Sequence, residues 1–176
     1  MLSNGSAHRL VVDTGPLIYI SKIDALDLFT SDEPAHISDA VHREAVLPQA
    51  AYRFPEIAAI ETAVRTGRIK VSALRPDERE VVLDLGRRMP GLGLGERGTI
   101  AVASSRGWSA VLFDRQAGRI AQSLGVRVVG IVELLFWRTA DEALLESRIR
   151  RFAALVEMRI EARDQLLERV KERSRW

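Results

Sequence analysis

Four acidic residues of this chain, Asp13, Glu44, Glu96 and Asp114, stand at places where carboxylates can do chemistry. Asp13 and Asp114 each follow a short apolar run, at 10–12 and 110–113. Glu96 opens a helix just after a glycine-dense loop, and Glu44 lies inside a helical stretch. In open parallel α/β sheets, ligands bind beyond the carboxyl ends of the strands. A fold that gathers those ends would converge the carboxylates in one cleft. Converged carboxylates repel, and they cannot all stay ionised cheaply without a cation. Mg²⁺ or Mn²⁺ is the natural remedy, because hard divalent ions take oxygen ligands and leave positions for water and phosphate. Such an ion activates water and offsets charge on a phosphoryl oxygen, and a pair would clamp both attacking and leaving oxygens. That is nuclease chemistry. The spacing alone leaves a second reading open, in which the four are scattered surface and capping acids. Asp13, taken singly, is also a good helix N-cap.

The elements that must position these acids follow from periodicity and punctuation. Leu10, Val11 and Val12 read as a buried strand. Gly15 permits a sharp turn, and Pro16 has its φ already set for a first helical turn. A helix is expected over 17–23, a short one over 24–29 and a strand over 35–38. Ser38 and Asp39 offer an N-cap to a helix over 40–47, stopped by Pro48. Its apolar side is Val41, Ala45 and Val46, which leaves Glu44 near the edge of the packed face. Further helices are expected over 55–65, over 76–89, from near Glu96 to 105, over 115–124 and from Ile131. Strands are expected over 69–71, 110–113 and 126–129. This β–α alternation predicts an α/β fold, a three-layer α/β/α sandwich with a mainly parallel sheet.

The tail reads differently. Thr139 and Glu142 have capping-box spacing. Leu145, Ile149, Phe152, Val156 and Ile160 follow at steps of three and four residues, with Leu166, Leu167 and Val170 beyond. This predicts a C-terminal amphipathic extension, either one long helix or a helical pair. Its apolar stripe would pack on the sheet domain or meet another chain, a homodimer among the options. The expected division is a domain over 9–137 and the extension over 138–176.

Composition narrows the classes. The chain has 176 residues, no cysteine, and 26 basic against 24 acidic residues. Disulfides, thiolate metal sites and thiol nucleophiles are thereby excluded. A net charge of +2 is weak support for nucleic-acid binding. No stretch is apolar and long enough to cross a membrane, and 1–8 lacks the apolar core of a signal peptide, so a cytoplasmic protein is expected. His8, His36 and His42 show no metal-ligand spacing, and no serine elbow is present. Trp108, Phe136 and Trp137 read as core or interface anchors before they read as base-stacking platforms.

Gly93-Leu94-Gly95-Glu96-Arg97-Gly98 fits the dinucleotide fingerprint G-x-G-x-x-G. Pro90 and an Arg-rich helix stand where a strand should lead in. Glu96 would also place negative charge in the turn where a pyrophosphate docks. A dinucleotide-binding protein is therefore the less favoured alternative.

The ordered set of motifs resembles the PIN-domain family, and within it the VapC-type ribonuclease toxins of bacterial toxin–antitoxin systems. Val12-Asp13-Thr14-Gly15-Pro16-Leu17-Ile18 resembles the first acidic motif, and Ile37-Ser38-Asp39-Ala40-Val41-His42-Arg43-Glu44 the second. Gly95-Glu96-Arg97-Gly98-Thr99-Ile100-Ala101 resembles the third, and Leu112-Phe113-Asp114-Arg115-Gln116-Ala117 the fourth. The likeness runs from Arg9 to Trp137 in matching order. It departs at Phe113, where the subgroup often has the first of two adjacent acids, and at Gly118, where an Arg is common. The resemblance implies a metal-dependent ribonuclease with Asp13, Glu44, Glu96 and Asp114 as Mg²⁺ or Mn²⁺ ligands, an RNA substrate and an antitoxin partner. Thr14 would hold a water or phosphate, or else close a turn. Lys22, Arg97 and Arg115 are the cations expected to grip flanking phosphates, each otherwise an ordinary solvated charge. The alternative within the family is a non-catalytic module that keeps the fold for partner binding.

Overall fold

The structure, a computed structural model, describes residues 9–46 and 54–173. Leu10–Val12 forms β1, and Thr14–Lys22 forms α1 directly after Asp13. A 3-10 turn at Leu26–Leu28 replaces the short helix expected there. β2 (Ala35–Ser38) runs into α2 (Asp39–Ala45), whose first turn is capped by Ser38: its Oγ accepts from the Val41 amide at 3.3 Å. The expected stop at Pro48 lies outside the described residues. α3 (Pro55–Arg65) leads to β3 (Ile69–Ser72), and α4 (Pro76–Arg88) to α5 (Leu94–Arg106). Gly107, at φ 67°, ends α5 in the left-handed region that glycine takes without a Cβ clash. β4 (Ser109–Val111), α6 (Arg115–Ser123), β5 (Val128–Val129) and α7 (Ile131–Arg138) complete the alternation.

The five strands are all parallel, in the order β3-β2-β1-β4-β5. The chain builds outward from β1 in one direction, then returns to add β4 and β5 on the other side. The order therefore reverses between β1 and β4, and the crevice of a doubly wound sheet opens at that reversal. Side chains alternate across the sheet with period two. Leu10 and Val12 enter one apolar core with α1, α3, α7 and the tail, while Val11, Ala110 and Leu112 enter a second with α4, α5 and α6. The result is the three-layer α/β/α arrangement expected from the alternation.

The tail is a helical pair, α8 (Glu142–Leu155) and α9 (Ile160–Arg173). Its cap differs from the expected one. Asp141, not Thr139, caps α8, accepting from the Leu144 amide at 2.7 Å, so Glu142 falls in the first turn instead of at N3. Thr139 is buried, and its hydroxyl accepts from Arg148 Nη1 at 3.2 Å. Leu145, Ile149 and Phe152 are buried in the chain's own core, as are Leu167 and Val170 of α9. No helix among the described residues is long and apolar enough to cross a membrane.

Candidate functional site

Asp13 occupies the N-cap position of α1, with extended backbone, but its side chain makes no capping bond. The residue is only 8% exposed, and its buried Oδ1 has no hydrogen-bond partner. A buried unpaired carboxylate is costly, and the protein answers by favouring the protonated form. Burial is the main reason that the Asp13 carboxyl is pushed up from 3.8 to about 6, and the negative charges of Glu96 and Glu44 add to it. The amides of Thr14 and Gly15 pull the other way without closing a bond on Oδ1.

Glu44 comes from the outer part of α2, exposed, with its neighbour Ala45 buried. Its Oε2 accepts from the Thr14 hydroxyl at 2.6 Å. Thr14 therefore meets a carboxylate of another element instead of closing its own turn. Both residues face the first turn of α5, where Gly95 leaves room. A Cβ there would stand 2.7 Å from Glu44 Oε2 and 3.1 Å from both Asp13 Oδ1 and Thr14 Oγ. Close approach without a side chain is what glycine permits. One turn further along α5, Gly98 performs the same service, since a Cβ on it would lie 2.7 Å from Ser38 Oγ. The two glycines let α5 settle against β1 and α2.

Glu96 follows Gly95, and its Oε2 accepts from the Gly93 amide at 2.8 Å. It thereby satisfies one of the orphan donors at the start of α5. The helix begins two residues before the expected start because of this bond. The same arrangement removes the dinucleotide reading: α4 and a turn precede the glycine run where that fingerprint requires a strand, and a carboxylate occupies the helix start.

Asp114 stands at the same sheet edge, three residues beyond the β4 position whose carbonyl accepts the Asp13 amide at 3.1 Å. Unlike Asp13, it is a true cap: Oδ1 accepts from Gln116 and Ala117 amides at 2.7 and 2.9 Å. Arg115 is exposed at the first position of α6. Arg97 turns its guanidinium against Gly86 of α4, with its Nε on the Gly93 carbonyl at 3.3 Å. Lys22 sits at the far end of α1, about 12 Å along the axis from Thr14, where its Nζ lies 3.5 Å from Glu56. Of the cations expected beside the acids, Arg115 stands at their sheet edge and Lys22 does not.

Asp13, Thr14, Glu44 and Glu96 are thus brought near one another at the reversal of strand order, while Asp114 stands at the same sheet edge with its carboxylate on the α6 amides. Among the described residues, no three His, Asp or Glu side chains close into a shell that could hold a metal ion. Each outer carboxylate is instead drawn to its own donor: Thr14, the Gly93 amide, or the start of α6. The donor chemistry nevertheless suits a hard divalent cation, since it is all oxygen and includes an unpartnered buried carboxylate oxygen facing the open side of Gly95. Asp13, Glu44 and Glu96 are the residues that could hold one. The role of Gly95 as the opening of this cleft was not readable beforehand; the only signal in the sequence was a glycine immediately before the acid.

No curated protein matches the chain. A family model described as a PIN domain matches residues 9–175, from the start of β1 through α9. PIN domains are generally nucleases. With the match covering nearly the whole chain, the protein belongs to the PIN-domain family.

Proposed function

We propose that this chain is a Mg²⁺- or Mn²⁺-dependent endoribonuclease, hydrolysing RNA phosphodiesters as the cytoplasmic toxin of a toxin–antitoxin pair. The observation that carries the reading is Asp13: a buried carboxylate with a free oxygen, crowded by Glu44 and Glu96 at the reversal of strand order. The likeness of all four motifs to the VapC-type enzymes supports the narrower reading of toxin and antitoxin.

Asp13, Glu44 and Glu96 would hold the cation, which supplies charge neutralisation at a phosphoryl oxygen and a water of lowered pKa. Thr14 keeps Glu44 turned toward Asp13, and the Gly93 amide keeps Glu96 at the cleft. Arg115 reaches from the start of α6 toward a phosphate next to the scissile one. Asp114 orders the loop that carries Arg115 by capping α6.

The test is cleavage of a mixed-sequence RNA pool by the purified protein, with Mg²⁺ or Mn²⁺ and with EDTA. Cleavage should need the metal and should vanish in Asp13→Asn. Asp114→Asn should keep both the fold and most of the activity, because Asn caps a helix about as well as Asp. Cleavage that persists in EDTA, or an active Asp13→Asn protein, would overturn the proposal.

A further inference from the structure

The sheet has a second charged edge, at the strand starts and opposite the acids. Arg9 stands four residues before Asp13, about 13 Å away along β1. Strand register gathers three basic side chains on one face there. His36 of β2 pairs with Lys70 of β3 and with Val11 of β1, and Arg9 lies two residues before Val11 on the same side. These three line a cavity of about 260 Å³ together with Asp32, Glu33 and Arg138. Arg138 of α7 is already engaged, its Nη1 2.8 Å from Glu33. Among the described residues, Arg9, Lys70 and Asp32 form no ion pair, so two exposed cations stand against one exposed acid.

The side chains around the cavity are held in place. Trp108, just before β4, has its ring 4.4 Å from that of His36, with the guanidinium of Arg9 at 5.5 Å and that of Arg106 at 5.0 Å. The charge of Arg106 is met by buried Glu78, whose Oε1 accepts from Nε at 2.6 Å. Arg9 has only the ring, worth about 0.5–1 kcal/mol at an exposed site. Burial, with the charges of Arg9, Lys70 and Arg106, lowers His36 from 6.5 to about 4 and keeps its imidazole neutral. Its Nδ1 lies 3.0 Å from Ser72 Oγ. With that hydroxyl donating, the ring proton stands on Nε2, which is then a further donor. We propose that this cavity binds a phosphate monoester or free phosphate, with Arg9 and Lys70 on its oxygens and His36 as a third donor. Such a group carries up to two negative charges and three outer oxygens, which suit a guanidinium fork, an ammonium and an imidazole N–H. The cavity has room beyond the phosphate group itself, since a water takes only about 30 Å³. The site uses none of the acids, so it stands or falls apart from the ribonuclease reading.

The experiment uses His36 as its reporter, because an anion beside the ring favours the imidazolium. Its NMR signal, assigned by its loss in His36→Gln, is followed through a pH titration in sodium chloride and in sodium phosphate of equal ionic strength. The midpoint should move up from about 4 toward 6.5 in phosphate alone. Calorimetry at neutral pH then measures the affinity for inorganic phosphate. Arg9→Gln and Lys70→Gln, both at exposed positions, should stay folded by circular dichroism and each bind about 10- to 100-fold more weakly. Arg119→Gln, which removes an exposed charge from α6, should bind as the parent does. Adenosine 5′-monophosphate and adenosine separate the two sources of the group. A monophosphate bound more tightly than inorganic phosphate, with no binding of adenosine, upholds the site as one for a nucleotide end. Equal affinities uphold it as one for free phosphate. The same His36 midpoint in both salts, parent-like affinity in Arg9→Gln and Lys70→Gln, or an equal loss in Arg119→Gln would each overturn the site.

Discussion

The Thr14 hydroxyl donates to Glu44 Oε2 at 2.6 Å, tying the first turn of α1 to α2 across the C-terminal edge of the sheet. The bond restrains an exposed glutamate that would otherwise sample several rotamers. Thr14→Val keeps the shape and removes the donor. Because the bond is exposed, stability should change by no more than about 1 kcal/mol. The stabilisation of the protein by Mn²⁺ should fall nevertheless, since one ligand is no longer pre-placed. Thermal melts with and without Mn²⁺ separate the two effects. An undiminished response to Mn²⁺ would show that Glu44 is not held for that purpose.

Gly95→Ala places a methyl group against Glu44 Oε2, Asp13 Oδ1 and Thr14 Oγ, at 2.7, 3.1 and 3.1 Å before any relaxation. The closest of these is the tip of a flexible side chain, which can swing away. Alanine also favours the helix by about 0.5–1 kcal/mol over glycine. The expected outcome is a protein of unchanged or slightly higher melting temperature that has lost metal-dependent RNA cleavage. A fully active variant would place the chemistry elsewhere than this cleft.

Asp13 also predicts a pH dependence. Its carboxyl lies at about 6 in the folded chain and at 3.8 without the fold, so the folded state holds the proton more tightly. Metal-free stability should therefore rise as pH falls from about 6 toward 4, and be lost as pH climbs through 6. The displacement amounts to about 3 kcal/mol at neutral pH. His36 pulls in the opposite direction. Burial, with the positive charges of Arg9, Lys70 and Arg106, lowers it from 6.5 to about 4. It should therefore withdraw stability as pH falls through the same range. The two slopes offset each other in the parent protein. Asp13→Asn should be more stable than the parent at pH 7 and should lose stability on acidification, as read by urea unfolding between pH 4.5 and 7. A variant with the parent's profile would exclude a buried, charge-crowded Asp13.

The tail makes a different prediction. Ile149 and Phe152 are 1% and 4% exposed, packed into the chain's own core with Leu17 and Val12. Asp at either position buries a charge with no partner. Ile149→Asp should unfold the protein, or lower its unfolding free energy by several kcal/mol. An alanine at Leu145 should cost about 2–5 kcal/mol. Sedimentation of whatever remains folded should show no change in mass attributable to these positions. A well-folded Ile149→Asp protein of reduced mass would instead make this face an interface.

The sequence alone determined which local elements form, and where the acids sit relative to them. Apolar runs ending at turn residues placed β1, β2 and β3 closely, and Pro55 and Gly67 bracketed α3, because these signals act through the backbone of a few adjacent residues. The ordered acidic motifs were legible for the same reason. Tertiary structure decided what each acid does. Asp13 and Asp114 both occupy N-cap positions, yet only Asp114 caps; which of the two is left free depends on how α5 and α2 close over β1. The α8 start shifted to Asp141 because Arg148, from the next turns of the helix, takes the Thr139 hydroxyl. The contact of Phe113 with Tyr19 and Phe152 joins three elements far apart in the chain. No local propensity encodes such a contact, because it exists only after long-range packing has ordered all three.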